Sequence, residues 1–249
     1  MRVHYLMHAS FETPGFIEQW AKSRGYAYSG TRTYQGQSLP ASGDVDFLIV
    51  MGGPQSPLRI GEFPYLEDEI DLIAKVIDEK KPVIGFCLGS QLIAKALGAP
   101  TSLSPEKEVG TFPVQLTLEG ANDAILGSFP REFDVLQWHY DMPGIPDGAI
   151  LLARSAGCPH QAFRFGDRVY GFQFHMEPTA ESIKPLLQNG AHDLAPSRYT
   201  QTADAILTSD FDTMNIRLAH VLDALAVFVP HHATEPPSAQ SRQQKQETW

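Results

Sequence analysis

With 249 residues, the chain is long enough for one large α/β domain or at most two small ones. Its 43% hydrophobic and 19% charged residues are ordinary for a soluble globular protein. Acidic residues outnumber basic ones by 29 to 19, so the formal net charge is −10. Because phosphate-rich surfaces repel an acidic protein, this charge argues against nucleic acid or an anionic membrane as the main partner. Two cysteines cannot build a disulfide framework, and the amino terminus lacks the long apolar run of a secretion signal. We therefore expect a cytoplasmic protein whose thiols stay reduced.

Short apolar runs alternate with amphipathic stretches in the amino-terminal half of the chain. Short apolar runs predict strands at Val3–Met7 and Pro82–Phe86, and the continuous apolar run Phe47–Met51 predicts a buried strand. Apolar residues at helical spacing predict helices at Phe16–Ser23, Tyr65–Glu79 and Leu88–Leu97. This strand–helix order favours a mainly parallel sheet with helices on both faces, which is the three-layer α/β/α class.

The second half of the chain is richer in strands, which predicts antiparallel additions to the same sheet. The predicted strands are Phe112–Leu118, Phe133–Trp138, Ile150–Ser155, Gln161–Phe165 and Val169–Phe174. Helices are predicted at Thr179–Gln188 and from about Ala203 to Val229. Residues 233–249 contain a Pro-Pro pair, four glutamines and no core-forming run. We therefore predict one domain over residues 1–232 and a disordered tail over residues 233–249.

The segment that indicates chemistry reads G-F-C-L-G-S-Q at residues 85–91, between a predicted strand and a predicted helix. It has the form of a nucleophile elbow, in which flanking glycines allow a tight turn that raises the middle side chain above the sheet. The elbow places Cys87 at a helix amino terminus, where unpaired N–H groups and the helix dipole stabilise a thiolate. The N–H of Leu88 can then point at a developing oxyanion. A buried structural cysteine is the alternative interpretation.

A cysteine nucleophile needs a base, and the base needs an orienting group. Among nine histidines, His175 stands out because it follows a predicted strand at its carboxyl end. In extended chain, His175 and Glu177 point to the same side, so the carboxylate can hold the imidazole in the tautomer that accepts the thiol proton. These residues predict a Cys87–His175–Glu177 triad. A solvated histidine beside an exposed glutamate is the alternative for that pair taken alone.

These ordered motifs resemble the class I glutamine amidotransferases, in the stand-alone branch that is similar to the amidotransferase domain of GMP synthase. The resemblance to the family rests on G-x-C-x-G-x-Q at residues 85–91, Q-F-H-x-E at residues 173–177 and M-G-G-P-Q-S at residues 51–56. The resemblance to the stand-alone branch rests on the segments at residues 108–110, 137–141 and 158–163. It implies a flavodoxin-like fold, the same triad, and an oxyanion hole made by the backbone N–H groups of Gly53 and Leu88. The implied substrate contacts are Gly52, Gln91, Trp138, His139 and Tyr140.

Two positions depart from the family pattern. Tyr140 takes the place of a small glycine in a loop that contacts both ends of glutamine in this family, partly through its backbone. The added side chain predicts a narrower pocket or a different choice of γ-glutamyl compound. Met176 takes the place of a proline, and its side chain is predicted to point away from the triad with little effect on chemistry.

The resemblance implies hydrolysis of a glutamine-type amide through a γ-glutamyl thioester, with release of ammonia and without a cofactor or metal. Three functions stay open. In the first, the protein is a glutaminase subunit that supplies ammonia to a separate synthetase. In the second, it is an independent hydrolase of γ-glutamyl amides or peptides. In the third, it is a regulatory binding domain that kept the fold. No nucleotide-binding motif is visible in the sequence, so an ammonia-accepting synthetase is expected to be a separate partner.

Overall fold

The computed structural model describes residues 1–229, so the predicted tail at residues 233–249 lies outside the described residues. The strands in chain order are β1 (Arg2–Met7), β2 (Ala27–Arg32), β3 (Phe47–Val50), β4 (Val83–Phe86), β5 (Thr101–Leu116), β6 (Glu132–Pro143), β7 (Ala149–Arg154), β8 (Ala162–Phe165), β9 (Val169–Phe172) and β10 (Tyr199–Thr200). The helices are α1 (Phe16–Ser23), α2 (Tyr65–Asp78), α3 (Leu88–Ala96), α4 (Leu118–Ala121), α5 (Ile183–Asn189), α6 (Ala203–Leu207) and α7 (Phe211–Ala226). None of these described helices combines the length and apolar character that crossing a membrane requires.

The ten strands form one mixed sheet in the order β10-β5-β7-β8-β9-β4-β3-β1-β2, with β6 paired to β5. Strands β2, β1, β3, β4 and β9 pair in parallel. Strands β9, β8, β7, β5 and β6 pair antiparallel. The parallel half therefore comes mostly from the strand–helix repeats of the amino-terminal part, and the antiparallel half comes from hairpin-like connections.

Helices cover both faces of the parallel half, as the alternation of side chains along β3 makes visible. Phe47 and Ile49 belong to the core that also contains α1 and α7, and the Trp20 ring packs edge-on against Phe47 at 6.1 Å. Leu48 and Val50 belong to the opposite core, with α2 and α3. All four β3 side chains are fully buried. The predicted three-layer α/β class is confirmed.

Two elements differ from the sequence predictions: one strand of the parallel half and one helix near the carboxyl terminus. The pattern does not predict β2, because A-Y-S-G-T-R lacks an apolar run; this edge strand is mostly exposed and exists through its pairing with β1. The predicted helix from Ala203 to Val229 is two helices. The break comes at Asp210, whose carboxylate accepts from Thr213 N at 3.0 Å and so caps the start of α7.

The antiparallel half also differs in its boundaries. The predicted strand Phe112–Leu118 is only the second part of β5, and β6 continues beyond the predicted end at Trp138. These two long strands pair along their length, with a register shift between Leu103 and Glu108. In the other direction, β9 ends at Phe172 and α5 begins only at Ile183, later than predicted. Long-range pairing, which no local pattern encodes, sets these limits.

Candidate active site

The turn between β4 and α3 consists of one residue, Cys87, which joins Phe86 to Leu88. Its φ of 49° lies in the left-handed region that residues with a Cβ rarely adopt. Hydrogen bonds hold both sides of this strained residue: Cys87 N donates to Phe172 O at 2.8 Å, and Ser90 Oγ donates to Cys87 O at 2.7 Å. Strain of this kind persists only where the surroundings over-determine the backbone. The tight strand-to-helix turn predicted at Cys87 is present; its role as nucleophile stays a prediction.

Close packing at the elbow requires both flanking glycines. A Cβ on Gly85 would lie 2.5 Å from the carbonyl group of Gly89, and a Cβ on Gly89 would overlap the carbonyl oxygen of Val50. The first turn of α3 can therefore sit directly on the end of β3. This contact brings the loop after β3, which carries Gly52 and Gly53, next to the sulfur.

The predicted base and its orienting carboxylate are adjacent and buried. His175 Nδ1 lies 2.5 Å from Glu177 Oε1, and Met176 N donates to Glu177 Oε2 at 3.0 Å. His175 follows β9 and pairs with Leu136 of β6 through two backbone hydrogen bonds of 2.8 and 3.2 Å. Met176 packs into the apolar core. The carboxylate therefore fixes both the rotation and the tautomer of the imidazole.

Cys87 and His175 meet at the same point beside the glycine loop. A Cβ on Gly52 would lie 3.0 Å from His175 Cε1 and 3.5 Å from Cys87 Cβ. Burial disfavours the charged imidazole, but attraction to Glu177, together with hydrogen bonds to Cys87 and Glu177, holds the pKa of His175 well above its usual range. The base therefore lies next to the sulfur, in surroundings that stabilise its protonated form.

Two backbone donors are available at the elbow. Among the described residues, neither Gly53 N–H nor Leu88 N–H donates to a backbone carbonyl. The two residues are neighbours, since a Cβ on Gly53 would lie 3.0 Å from Leu88 Cδ2. Leu88 is the first residue of α3, where N–H groups lack partners within the helix. Both residues can therefore supply donors to a negative oxygen formed next to Cys87.

Cys87 and His175 open into a cavity of about 580 Å³. Most of the residues singled out by the sequence line this cavity, and these are Gly53, Cys87, Leu88, Gln91, Trp138, His139, Tyr140 and His175. Gly52 and Glu177 do not line it: Gly52 belongs to the glycine loop, and Glu177 contacts the imidazole of His175. Segments far apart in the chain thus contribute to a single site.

The side chain of Gln91 contacts the protein. Gln91 Nε2 donates to Gln173 Oε1 at 3.0 Å, and Gln173 Nε2 donates to the Cys87 sulfur at 3.4 Å. Both glutamine side chains are buried. The sequence motif contains Gln173, but its spacing alone does not reveal this contact with the nucleophile. The predicted contact of Gln91 with substrate stays a prediction.

Two of the remaining predicted substrate contacts are clamped by one carboxylate, that of Asp193. Its Oδ1 accepts from Tyr140 OH at 2.6 Å, and its Oδ2 accepts from Trp138 Nε1 at 2.8 Å. The imidazole of His139 is occupied in a different way, with Nε2 3.2 Å from Glu108 Oε2 and Nδ1 3.1 Å from Asp141 O. His139 can therefore contact a ligand only through its backbone or ring face.

Removing the Asp193 clamp is expected to weaken ligand binding. Asp193→Ala deletes the acceptor of both charge-assisted hydrogen bonds, so the Trp138 and Tyr140 side chains lose their fixed positions. We expect KM for glutamine, the substrate that the family resemblance implies, to rise on the order of tenfold, equivalent to about 1.4 kcal/mol, with a smaller change in kcat. Steady-state kinetics check this, and the exposed Asp167→Ala serves as the matched control. An unchanged KM would show that the clamp does not order the binding surface.

A carboxylate that no sequence motif indicated faces the predicted triad. Glu12 lies in the loop after β1, and its Oε2 would be 2.5 Å from a Cβ on Gly52. Burial raises the pKa of Glu12 to about 7, and repulsion from Glu177 adds to this increase. Attraction to His175 and His8 acts in the opposite direction but is weaker than the effect of burial. The available signal was its position just after a parallel strand, because ligand sites gather at the carboxyl ends of such strands.

The raised pKa of Glu12 predicts a pH-dependent cost in stability. Between pH 4.5 and about 7, the folded state holds a proton on Glu12 that the unfolded state releases, so stability falls as pH rises through this window. Glu12→Gln removes this titration. We expect the variant to be about 1–2 kcal/mol more stable than the wild type at pH 8, a modest gain because solvent partly screens the half-buried Glu12 carboxyl. At pH 4.5 we expect the two proteins to have similar stability. Urea unfolding at both values measures this; a variant that loses stability at pH 8 contradicts it.

Within residues 1–229, one group of side chains has the spacing of metal ligands, namely Glu108, His139 and Cys158, whose ligand atoms lie within 4.8 Å of one another. The Glu108 carboxylate already accepts from Ser155 Oγ at 2.8 Å and from Gln161 Nε2 at 2.7 Å. Burial raises the pKa of the Cys158 thiol to about 11, so the sulfur stays protonated at neutral pH. The group is therefore best described as a hydrogen-bonded support for β6 behind the cavity.

The fold and the cysteine elbow together define an α/β/α protein with a candidate cysteine nucleophile. Comparison with known proteins narrows this class. The family model "Glutamine amidotransferase class-I" matches residues 21–193. The chain belongs to the class I glutamine amidotransferase family, whose members are generally cysteine-dependent amide hydrolases.

Individual relatives agree with this assignment. The chain is 42% identical to the glutamine amidotransferase-like protein YfeJ of Salmonella typhimurium, over 91% of this chain and 98% of that protein. It is 36% identical to the glutamine-hydrolysing GMP synthase of Aeropyrum pernix, over 57% of this chain and only 25% of that enzyme. A crystal structure of a glutamine amidotransferase from Methylobacillus flagellatus superposes with a TM-score of 0.86 at 27% identity, covering 94% of this chain and 98% of that one.

Proposed function

We propose that this protein hydrolyses the side-chain amide of glutamine, using Cys87 as the nucleophile, His175 as the base and Glu177 as the group that orients the base. The observation that carries the proposal is the buried 2.5 Å contact between His175 and Glu177 with the imidazole beside the Cys87 elbow. Such an arrangement activates a thiol towards a carbonyl carbon. A cytoplasmic location, where thiols stay reduced, fits this use of the cysteine.

The reaction proceeds in two acyl-transfer steps. His175 takes the proton of the Cys87 thiol, and the sulfur attacks the amide carbon, which places negative charge on the carbonyl oxygen. The N–H groups of Gly53 and Leu88 stabilise this oxygen, each contributing about 3 kcal/mol. The C–N bond breaks as His175 gives its proton to the departing nitrogen, which leaves as ammonia. Water then gives a proton to His175 and attacks the thioester, and cleavage of the C–S bond regenerates the thiol and releases glutamate.

Direct assays test this proposal. The purified protein is incubated with glutamine, ammonia is measured by a coupled assay, and the acid-quenched protein is analysed by mass spectrometry for a glutamyl adduct on the Cys87 peptide. We expect steady ammonia release and an adduct that hydroxylamine removes, as a thioester requires. A protein that releases no ammonia and carries no adduct would contradict the proposed function.

A second candidate substrate class is γ-glutamyl amides larger than glutamine. Cavities of 300–1,000 Å³ hold drug-sized ligands, so a volume of about 580 Å³ exceeds what glutamine alone needs. Apolar side chains form part of its rim, since Leu58, Leu103 and Tyr140 are 48%, 70% and 46% exposed. The amine portion of such a γ-glutamyl amide could contact this rim if it carries an apolar side chain. The same rim could also face a separate ammonia-accepting synthetase.

A comparison of substrates separates the two candidate substrate classes, glutamine and larger γ-glutamyl amides. The assay compares glutamine with γ-glutamyl-leucine and γ-glutamyl-glycine and measures amine or ammonia release. A higher kcat/KM for γ-glutamyl-leucine than for either other substrate supports an independent hydrolase that uses the apolar rim. Activity restricted to glutamine supports an ammonia-supplying subunit.

A further inference from the structure

A second histidine–glutamate pair lies directly behind the glycine loop. His8 follows β1 and Glu69 lies on α2, and both side chains are completely buried. His8 Nε2 is 2.7 Å from Glu69 Oε2, and His8 Nδ1 is 3.0 Å from Gly52 O. Neither side chain lines the cavity. The reaction described above does not use this pair.

The hydrogen bond from His8 to Gly52 O also affects the N–H of Gly53. The carbonyl of Gly52 and the N–H of Gly53 belong to one planar peptide group, so a group that holds the oxygen also sets the direction of the N–H. A carbonyl oxygen can only accept, so His8 Nδ1 carries a proton whichever partner holds the proton between Nε2 and Glu69. A hydrogen bond at the oxygen also polarises the peptide and strengthens its N–H as a donor.

The packing of the loop on His8 is consistent with this role. A Cβ on Gly53 would lie 2.5 Å from His8 Cβ, so only glycine allows the loop to approach this closely. Gln55 Nε2 donates to His8 O at 3.0 Å and ties the other end of the loop to the same residue. Burial opposes a charged His8 ring, but Glu69, the Gly52 carbonyl and Glu12 outweigh it and raise the pKa of His8.

We propose that His8 and Glu69 are positioning residues for the oxyanion hole: His8 donates to Gly52 O and aims the Gly53 N–H at the reacting carbonyl, and Glu69 holds the His8 ring in place. Neither residue touches the substrate. The inference rests on the proposed function, because it concerns the same acyl transfer. It assigns to the β1 and α2 segments a part in the reaction that the motif residues do not reveal.

The test separates oxyanion stabilisation from thiol reactivity. Ammonia release from glutamine depends on the oxyanion hole, whereas alkylation of Cys87 by iodoacetamide is a displacement at a saturated carbon that forms no oxyanion. The double variant His8→Leu/Glu69→Met removes the pair without leaving a lone buried charge. We expect kcat to fall on the order of 100-fold, as for the loss of an oxyanion donor, with KM and the alkylation rate within about threefold of the wild type.

Two further variants complete the design. In the Glu69→Met background, which leaves no lone buried charge, His8→Asn places an amide donor near the position of Nδ1, and we expect it to recover kcat to within about tenfold of the wild type. His4→Leu is the matched control, because His4 is a buried histidine within β1 that has two side-chain partners, Ser29 and Thr31, and we expect no change in kcat.

The following results would overturn the proposal. A double variant that keeps its kcat shows that the pair does not serve the oxyanion hole. An alkylation rate that falls together with kcat shows that the pair only maintains the fold of the site. If the double variant does not fold, His8→Asn is compared with His8→Gln, whose donor lies at the Nε2 position, and equal kcat values overturn the proposal. A wild-type protein that neither releases ammonia nor forms an adduct overturns the proposed function, and this inference with it.

Discussion

Cys87→Ala is expected to abolish ammonia release from glutamine while leaving the protein folded. The substitution removes the sulfur that is proposed to form the thioester, and the thiol of Cys158 contacts Met142 and cannot replace it. We expect kcat to fall by more than about 10⁴-fold, because the oxyanion donors and substrate contacts alone leave little residual catalysis. Ammonia release and thermal unfolding, measured on the same preparation, check the result.

The second cysteine provides the matched control for this experiment. Cys158 is also buried, but its sulfur contacts Met142 at 3.8 Å and not the triad. We expect Cys158→Ala to keep kcat within about threefold of the wild type and to remain sensitive to iodoacetamide. Ammonia release that survived in Cys87→Ala would refute the assignment of the nucleophile, whatever the behaviour of the control.

Glu177→Gln is expected to lower kcat by about 10²–10⁴-fold with a smaller change in KM. In the wild type, the two oxygens of the Glu177 carboxylate accept one hydrogen bond each, from His175 Nδ1 and from Met176 N. A glutamine has only one oxygen, so its NH₂ group must face one of these donors or the ring must adopt the other tautomer. In that tautomer Nε2 carries the proton and cannot take another from the thiol.

The charge of Glu177 has its own measurable effect. Its attraction is the main force that raises the pKa of His175 against the cost of burial. In Glu177→Gln the imidazole should therefore lose its proton at lower pH than in the wild type, which NMR titration of the ring can follow. Glu181→Gln, an exposed neighbour, is the control. Unchanged kcat together with an unchanged His175 titration would remove Glu177 from the mechanism.

Local patterns were enough to predict much of the parallel half. Helix α1 has the predicted bounds, and α2, α3, β3 and β4 differ by one residue at an end. These elements are short-range: apolar spacing defines a helix, a continuous apolar run defines a buried strand, and Gly98, at φ +86°, ends α3. The Cys87 elbow belongs to the same category, because its two glycines act on the turn that they flank.

The remaining features depend on contacts between distant segments. Strand β2, the full length of β5 and β6, and the break before α7 follow from pairing and capping that apolar spacing does not record. The same holds for the groups around the triad. Glu12, Glu69 and Asp193 stand in sequence contexts that are typical of loops or of a charged helix face, and none lies near Cys87 in the chain.

The sequence by itself determined the α/β class, the nucleophile elbow and the pairing of His175 with Glu177, because each depends on residues within one turn or one strand. Only the tertiary structure decided which side chains surround that chemistry. The strand order β9-β4-β3-β1 brings four carboxyl ends to one edge, and with them His8, Gly52, Cys87 and His175. A parallel sheet joins strands that are far apart in the chain, so its register, and not the local sequence, assembles the site.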